Sequence, residues 1–281
     1  MSEAEVKAQE SGSDKASAGN LVRYAAEGGV AVLTLNDPPA NTYSYEMMQE
    51  LDRSILAARM DETVQVIVIT GAGEKFFSAG ANIKMLSEVT PTFKYYFCLH
   101  ANETLSRLEQ TPKLVIAAMN GHCVGGGFEI ALAADLRIAR RGAGKMGLPE
   151  VSLGVLPGTG GTQRLVRLVG KSRSIELMTT GELFDFERGE ELGLVNRIYE
   201  AATAADFMEQ VLDYARQFTT PDKAARAVGR IKRSVQSGAE IPFEYGLALE
   251  RELQQQLFQS EDAAEGLDAY VNKRKAQFKG R

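Results

Sequence analysis

The sequence has 281 residues, of which 44% are hydrophobic and 25% are charged, and its formal net charge is −5. This composition is ordinary for a globular protein built as one large domain or as one domain with an appended region. The acidic balance argues against a nucleic-acid partner, so a polyanionic ligand requires local cations and amide dipoles. There is no run of 18 apolar residues and no basic-then-apolar N-terminal order typical of a signal peptide, so we expect no membrane partner.

Cysteine and histidine are scarce, with two residues of each type in the sequence. Cys98 and Cys123 stand in apolar segments and do not form a disulfide framework, which favours reduced thiols and a cytoplasmic location. The cysteines and histidines lack the spacing of metal ligands, so the sequence predicts no metal site.

The N-terminal part changes character at Leu21. Residues 1–20 contain almost no large apolar side chain, and we expect a disordered tail there. Two β-type runs follow and join at Gly28-Gly29, which predicts a hairpin. Ser44 is then a candidate cap for a helix that runs to about Met60.

Strand and helix signals alternate over residues 21–200, which is typical of βα units with parallel strands. Helical periodicity dominates residues 201–281. We therefore predict a core of residues 21–200, a boundary near residue 200 and a helical C-terminal region. A basic run in that region, formed by Lys223, Arg226, Arg230, Lys232 and Arg233, is interpreted as a solvated helix face.

The chain is organised around residues 113–129, which predict a buried strand, a bend and a glycine triplet at 125–127. We expect a helix to open at Glu129 and to continue to Ala139, because this run is apolar almost all round. The first amides of a helix carry partial positive charge, and glycine lets another molecule approach the backbone. A carboxylate inside an apolar run is costly unless something compensates it, so this stretch predicts a ligand site.

Four segments resemble the crotonase superfamily, and specifically enoyl-CoA hydratases; these are residues 77–85, 120–130, 147–165 and 270–278. They occur in the family's order, and the resemblance covers roughly residues 20–281. It implies an α/β crotonase-like spiral of βα units followed by a helical C-terminal trimerisation region, with a homotrimer or homohexamer as the assembly. It also implies reversible syn hydration of a 2-enoyl-CoA thioester to a 3-hydroxyacyl-CoA, with no cofactor beyond the CoA moiety of the substrate.

The resemblance also implies the roles of individual residues. The amides of Ala81 and Gly126 would stabilise the oxyanion that forms on the thioester, an interaction worth about 3–4 kcal/mol per donor. Glu129 would hold and activate the water, and Glu150 would exchange the proton at C2. The backbone at Gly158 would give further support to the water site.

The coenzyme A moiety is assigned to a second set of positions by the same resemblance. The backbone of Ala79, Gly80 and Ala81 resembles the adenine-binding stretch. Lys84 matches a position near the CoA phosphates, and Tyr270 and Lys273 match a C-terminal segment that can reach a neighbouring subunit's cofactor. Asn82 is a departure, because many members carry Asp there; the amide keeps a turn-forming side chain without the charge.

Three alternatives stay open. An enoyl-CoA isomerase needs one carboxyl rather than two, so Glu129 and Glu150 together favour hydration. A hydratase for a branched or carboxylated acyl-CoA shares the same site. A non-catalytic CoA- or RNA-binding homologue would bind without turnover, and the acidic balance counts against it.

Overall fold

A computed structural model describes residues 20–281, so the predicted tail lies outside the described residues except for Asn20. The strands within this range are β1 (Val22–Glu27), β2 (Val30–Leu35), β3 (Val66–Gly71), β4 (Phe76–Ser78), β5 (Leu114–Met119), β6 (His122–Val124), β7 (Leu136–Arg140), β8 (Lys145–Gly147), β9 (Phe184–Asp185) and β10 (Arg197–Tyr199). The helices are α1 (Tyr45–Met60), α2 (Ile83–Glu88), α3 (Pro91–Gln110), α4 (Gly126–Leu132), α5 (Gly161–Val169), α6 (Lys171–Thr180), α7 (Phe186–Glu191), α8 (Ala204–Arg216), α9 (Ala225–Gly238), α10 (Phe243–Phe258) and α11 (Glu261–Val271). A short 3-10 helix spans Glu150–Leu153. In this range no helix combines the length and the apolar character needed to cross a bilayer.

Two sheets form the framework. The larger has the strand order β1-β2-β3-β5-β7-β10, and its strands are parallel except for the predicted β1–β2 hairpin. The smaller has the order β4-β6-β8-β9, in which β4, β6 and β8 are parallel. Parallel strands are joined by crossovers, so the chain alternates between sheets and helices as predicted.

The central strands of the larger sheet are buried on both faces, which explains why β3 and β5 are almost entirely apolar. Residues of α1 and α3 pack on one face. Phe207, Val211 and Ala215 of α8 pack on the other, against side chains that include Val66 and Ile116. The first helix after residue 200 is therefore packed on the sheet, while the predicted domain boundary there stays a prediction.

The predicted start of α1 is confirmed. Ser44 is extended and its hydroxyl accepts a hydrogen bond from the Met47 amide at 3.3 Å. This bond satisfies an amide that has no partner within the helix.

The expected helix from Glu129 to Ala139 is wrong at both ends, since α4 begins three residues earlier, at Gly126. Helix α4 ends at Leu132, and Leu136–Arg140 forms strand β7. Asp135 redirects the chain, because its amide donates to the Val115 carbonyl at 3.0 Å and its Oδ2 accepts from the Val115 amide at 2.7 Å. The following residues therefore enter the sheet beside β5.

The interpretation of the basic run as a solvated face is wrong for Lys232. This side chain is buried, and its Nζ lies 2.9 Å from Oδ2 of Asp135. Nζ also donates to the carbonyl of Lys113 at 3.0 Å. The ion pair therefore fastens α9 to the sheet at the turn that precedes β7.

Candidate active site

Three loops meet at one edge of the smaller sheet. They follow β4, β6 and β8, which are parallel neighbours, so their carboxyl ends lie side by side. These loops carry Ala79–Asn82, the glycines at 125–127 and Glu150, respectively. Strand topology thus brings together residues that are about 70 positions apart in the sequence.

The two predicted oxyanion donors belong to segments that touch through their backbones. Gly80 has a φ of +87°, and a Cβ built there would lie 2.9 Å from the Gly126 amide nitrogen. Only glycine permits this approach and this backbone conformation. Within residues 20–281, the amides of Ala81 and Gly126 donate to no loop carbonyl and no side chain. Gly126 also begins α4, where the helix dipole favours negative charge on a ligand.

Glu129 lies in the first turn of α4 and is 1% exposed. Its Oε1 accepts hydrogen bonds from the amides of Thr159 and Gly161, each at 2.7 Å. Burial raises the pKa of this carboxyl, and the bonds from Gly161 and from the amide and hydroxyl of Thr159 oppose that rise. The loop after the 3-10 helix therefore orients Glu129.

Glu150 opens the 3-10 helix and is held differently. Its Oε2 is buried and has no hydrogen-bond partner within the described residues. Burial raises the pKa of Glu150 to about 7; the charge of Glu129 adds to the rise, whereas its own amide and the ammonium of Lys94 oppose it. A carboxyl with this pKa can both donate and accept a proton near neutral pH.

Arg164 holds the loop that supports Glu129, and sequence reasoning did not single it out. Its guanidinium binds Glu109 of α3 in a bidentate manner, with Nε–Oε1 at 2.9 Å and Nη2–Oε2 at 2.6 Å. Its Nη1 donates to the Thr159 carbonyl at 3.1 Å. A planar fork is suited to such a double contact, so Arg164 fixes the loop against α3.

Gly158 lies beside this support. Its carbonyl accepts from Asn102 Nδ2 at 3.4 Å, and a Cβ built on it would lie 3.0 Å from Sγ of Cys98. The amides that bind Glu129 belong to Thr159 and Gly161 instead. The role of Gly158 in binding the water stays a prediction.

Aromatic residues line the same region, and Tyr43 is the one that sequence reasoning missed. Phe97 is buried, and its ring centroid lies 5.8 Å from that of Tyr43 and 6.4 Å from that of Phe93. The ammonium of Lys94 lies 5.4 Å from the centroid of the Phe97 ring. The only sequence signal at Tyr43 was its position directly before the helix cap Ser44. A large side chain there usually packs against the first turn of the helix, so this signal does not indicate a functional site.

The predicted CoA positions fall in two places. Lys84 is exposed in the first turn of α2, and Asn82 caps that helix by accepting from the Met85 amide at 3.0 Å. Tyr270 is 86% exposed at the end of α11, and Lys273 follows with a φ of +52°. The segment after Lys273 binds Asp222, Pro221 and Asp262 rather than the loops of the site. Within the described residues of one chain, no hydrogen bond or ion pair joins the Lys84 region to the Tyr270–Lys273 region. The roles of these residues in binding CoA stay predictions.

Known proteins resemble this chain over nearly its whole length. A family model described as enoyl-CoA hydratase/isomerase matches residues 25–281. A probable enoyl-CoA hydratase of Bacillus subtilis (strain 168) is 37% identical over 262 residues, covering 93% of this chain and 99% of that protein. The short-chain-enoyl-CoA hydratase of Clostridium acetobutylicum is 37% identical over 264 residues, covering 93% of this chain and 99% of that protein.

A solved structure gives the same result for the fold. The structure of an enoyl-CoA hydratase from Geobacillus kaustophilus HTA426 superposes with a TM-score of 0.89 at 43% identity, covering 94% of this chain and 98% of that chain. The predicted α/β crotonase-like fold is confirmed.

Proposed function

Because this chain belongs to the enoyl-CoA hydratase/isomerase family, we propose that it catalyses the reversible syn hydration of a 2-enoyl-CoA to a 3-hydroxyacyl-CoA. The observation that carries the proposal is the pair of carboxyls beside two unoccupied amides. Glu129 is held by two backbone donors, whereas Glu150 has a buried oxygen without a partner. Two carboxyls in such different surroundings suit two different proton-transfer roles.

The thioester carbonyl oxygen binds between the amides of Ala81 and Gly126 in this proposal. These donors stabilise negative charge as the enolate develops, and they need no rearrangement because backbone contacts hold them. The approach of Gly80 to Gly126 supports this placement. Polarisation of the carbonyl makes C3 electrophilic, and the enolate that forms when water adds at C3 is basic at C2.

The two carboxyls then move the protons. Glu129 takes a proton from water while the water oxygen bonds to C3, and Glu150 delivers a proton to C2. An O–H bond of water, the C2–C3 π bond and the O–H bond of Glu150 break, while the C3–O, C2–H and Glu129 O–H bonds form. Return of the proton from Glu129 to Glu150 restores the pair, so the net reaction consumes no proton. The carboxyls approach from one side, which gives syn addition. This mechanism uses no metal or redox cofactor.

Hydration is favoured over isomerisation by the position of Glu150. An isomerase moves one proton between two carbons and can do so with a single carboxyl. Here Glu150 stands next to the glycine turn, with Oε1 3.0 Å from a Cβ built on Gly125, and its pKa is raised to about 7. A second carboxyl tuned to neutral pH is what water addition requires.

A homotrimer or homohexamer is part of the proposal. Large apolar side chains are exposed on α3, on the segment after Glu150 and on the C-terminal helices; they include Tyr95, Tyr96, Leu153, Leu156, Phe243, Tyr245, Phe258 and Tyr270. The number of large apolar side chains exposed in one chain supports their burial against further copies of the chain. Light scattering on the purified protein should give a mass about three or six times the 30.6 kDa of one chain; a monomer would contradict the proposal.

We also propose a cytoplasmic location, which the unpaired Cys98 and Cys123 support.

The direct test is the loss of enoyl-thioester absorbance when the protein meets crotonyl-CoA. We expect rapid loss with the unmodified protein and a decrease in kcat of about 100-fold or more in Glu129→Gln and in Glu150→Gln. Glutamine has nearly the same size as glutamate, so binding of the CoA thioester by either variant should change little. Glu103→Gln, on the exposed side of α3, is the matched control and should keep full activity. Full activity in either site variant would refute its role.

A further inference from the structure

Tyr43 is a buried residue in the centre of the site, and the resemblance assigns it no role. It is 2% exposed and lies two residues before α1 begins. Its amide donates to the Gly80 carbonyl at 3.0 Å, and its carbonyl accepts from the Asn82 amide at 3.0 Å. The backbone of Tyr43 therefore holds the loop on both sides of the predicted oxyanion donor Ala81.

The side chain of Tyr43 reaches the other two parts of the site. Its ring lies against Gly126, since a Cβ built on that glycine would overlap the phenol. Its hydroxyl lies 2.8 Å from Oγ1 of Thr159, and either atom is able to donate. Thr159 is itself 2% exposed, so this hydrogen bond is shielded from solvent. A shielded bond of this kind is electrostatically stronger than one in water.

Thr159 connects this hydroxyl to Glu129. The Thr159 amide donates to Oε1 of Glu129 at 2.7 Å, and the Thr159 hydroxyl also helps to hold the pKa of Glu129 down. Burial and the neighbouring carboxylates raise the pKa of Tyr43, so the phenol stays neutral and keeps a proton to donate. The hydrogen bond between the two hydroxyls fixes Thr159 and so keeps its amide aimed at Oε1 of Glu129.

We propose that Tyr43 is a positioning residue whose hydroxyl acts through Thr159 to keep Glu129 oriented beside the oxyanion amides. Two hydrogen bonds carry the proposal, one from hydroxyl to hydroxyl between Tyr43 and Thr159 and one from the Thr159 amide to Oε1 of Glu129. Its consequence for water activation rests on the proposed hydratase function. The same residue also joins the oxyanion loop to the loop that supports the carboxyl.

Other charged groups face Glu129 and are left in place by a change at Tyr43. Arg164 reaches it from α5 and is paired with Glu109 of α3. Glu150 couples to it from the 3-10 helix. Because these groups do not contact the Tyr43 hydroxyl by hydrogen bonds, removing that hydroxyl loosens the Thr159 amide that donates to Glu129 without changing the charged neighbours of Glu129.

The test compares Tyr43→Phe with two substitutions at Thr159. Tyr43→Phe keeps the ring against Gly126 and removes only the hydroxyl. Thr159→Val removes the middle hydroxyl but keeps the amide, whereas Thr159→Ser keeps both. Tyr45→Phe is the matched control, since the Tyr45 ring packs edge-on to Phe93 and His100.

The first readout is the pKa of Glu129. It is measured by carbon NMR during a pH titration of protein labelled at the glutamate carboxyl carbons. Fewer donors to a carboxylate raise its pKa, so we expect upward shifts of about 0.5–1 unit in Tyr43→Phe and Thr159→Val. Thr159→Ser and Tyr45→Phe should match the unmodified protein. An unchanged Glu129 pKa in Tyr43→Phe and Thr159→Val would overturn the proposal.

The second readout is the hydration of crotonyl-CoA. We expect kcat to fall about tenfold in Tyr43→Phe with KM within about twofold, because orientation of the base acts on the reaction step. The acidic limb of the pH profile should move up together with the Glu129 pKa. A fall in kcat without that movement would show a merely structural role and overturn the proposal. If the NMR shifts occur but the unmodified protein hydrates no enoyl-CoA, the hydrogen-bonded chain stands and the proposed function fails.

Discussion

Glu129 and Glu150 are electrostatically coupled but held in opposite ways. Glu129 receives two amide hydrogen bonds on one oxygen, whereas Glu150 has a buried oxygen with no partner in the described chain. The charge of Glu129 contributes to the raised pKa of Glu150. Because each carboxylate disfavours ionisation of the other, the pair favours a state that holds one proton, which is the state that the proposed hydration requires.

The first prediction concerns pH. Because the pKa of Glu150 is raised to about 7, the pair should lose its proton as the pH rises through that value, and kcat/KM should fall there. Hydration neither consumes nor releases a proton, so hydration and dehydration should share one profile. Initial rates measured in both directions between pH 5 and pH 9 test this. A basic limb that persists near pH 7 in Glu150→Gln would contradict the assignment.

The second prediction separates the Gly126 amide from the space around it. Both Gly126→Pro and Gly126→Ala add a Cβ that meets the Tyr43 ring. Only Gly126→Pro also removes the amide hydrogen that would be donated. Proline is accepted at the first position of a helix, so α4 can still begin there. We expect kcat in Gly126→Pro to lie about 100-fold below that in Gly126→Ala, which corresponds to about 3 kcal/mol. Equal rates in the two variants would refute the donor role.

The third prediction tests how the CoA phosphates are bound. Lys84→Ala and Lys273→Ala should each raise KM for crotonyl-CoA about fivefold, which is the scale of an exposed ion pair. Neither should affect the crotonyl thioester of pantetheine, which lacks the nucleotide phosphates. Lys171→Ala, an exposed lysine at the start of α6, is the control. The assignment fails if the two thioesters respond alike.

The fourth prediction concerns stability. Lys232→Met leaves the carboxylate of Asp135, whose side chain is only 12% exposed, without its ion-pair partner, so the free energy of unfolding should fall by about 3–5 kcal/mol. The double variant with Asp135→Asn should recover part of this loss. Arg233→Met, at the exposed neighbouring position, should change stability by less than about 0.5 kcal/mol. Urea unfolding measures all three, and a loss in Arg233→Met as large as in Lys232→Met would argue against the role of the pair.

Local sequence signals predicted the elements but not every boundary. The Ser44 cap and the β1–β2 hairpin were predictable because each depends on nearby residues. The end of α4 was not, because a buried helix and a buried parallel strand are both apolar throughout. What separates them is the contact between Asp135 and Val115, which are 20 positions apart.

The site shows the same division. Glu129 and Glu150 were found through recognisable motifs, whereas Tyr43 and Arg164 act through partners more than 50 positions away. Lys232 was misread for a related reason, since charge spacing along a helix does not reveal which part of the helix lies over a buried carboxylate. Such contacts become visible only when the sheets have placed the loops.

The close approach of Gly80 to Gly126 means that the two proposed oxyanion donors are main-chain groups. We therefore expect most side-chain substitutions in the pocket to affect carbonyl polarisation less than substitutions at these two glycines. In evolutionary terms, two donors supplied by the main chain can persist while the neighbouring side chains change. We therefore expect relatives with different acyl preferences to keep these glycines and to differ in the side chains around them.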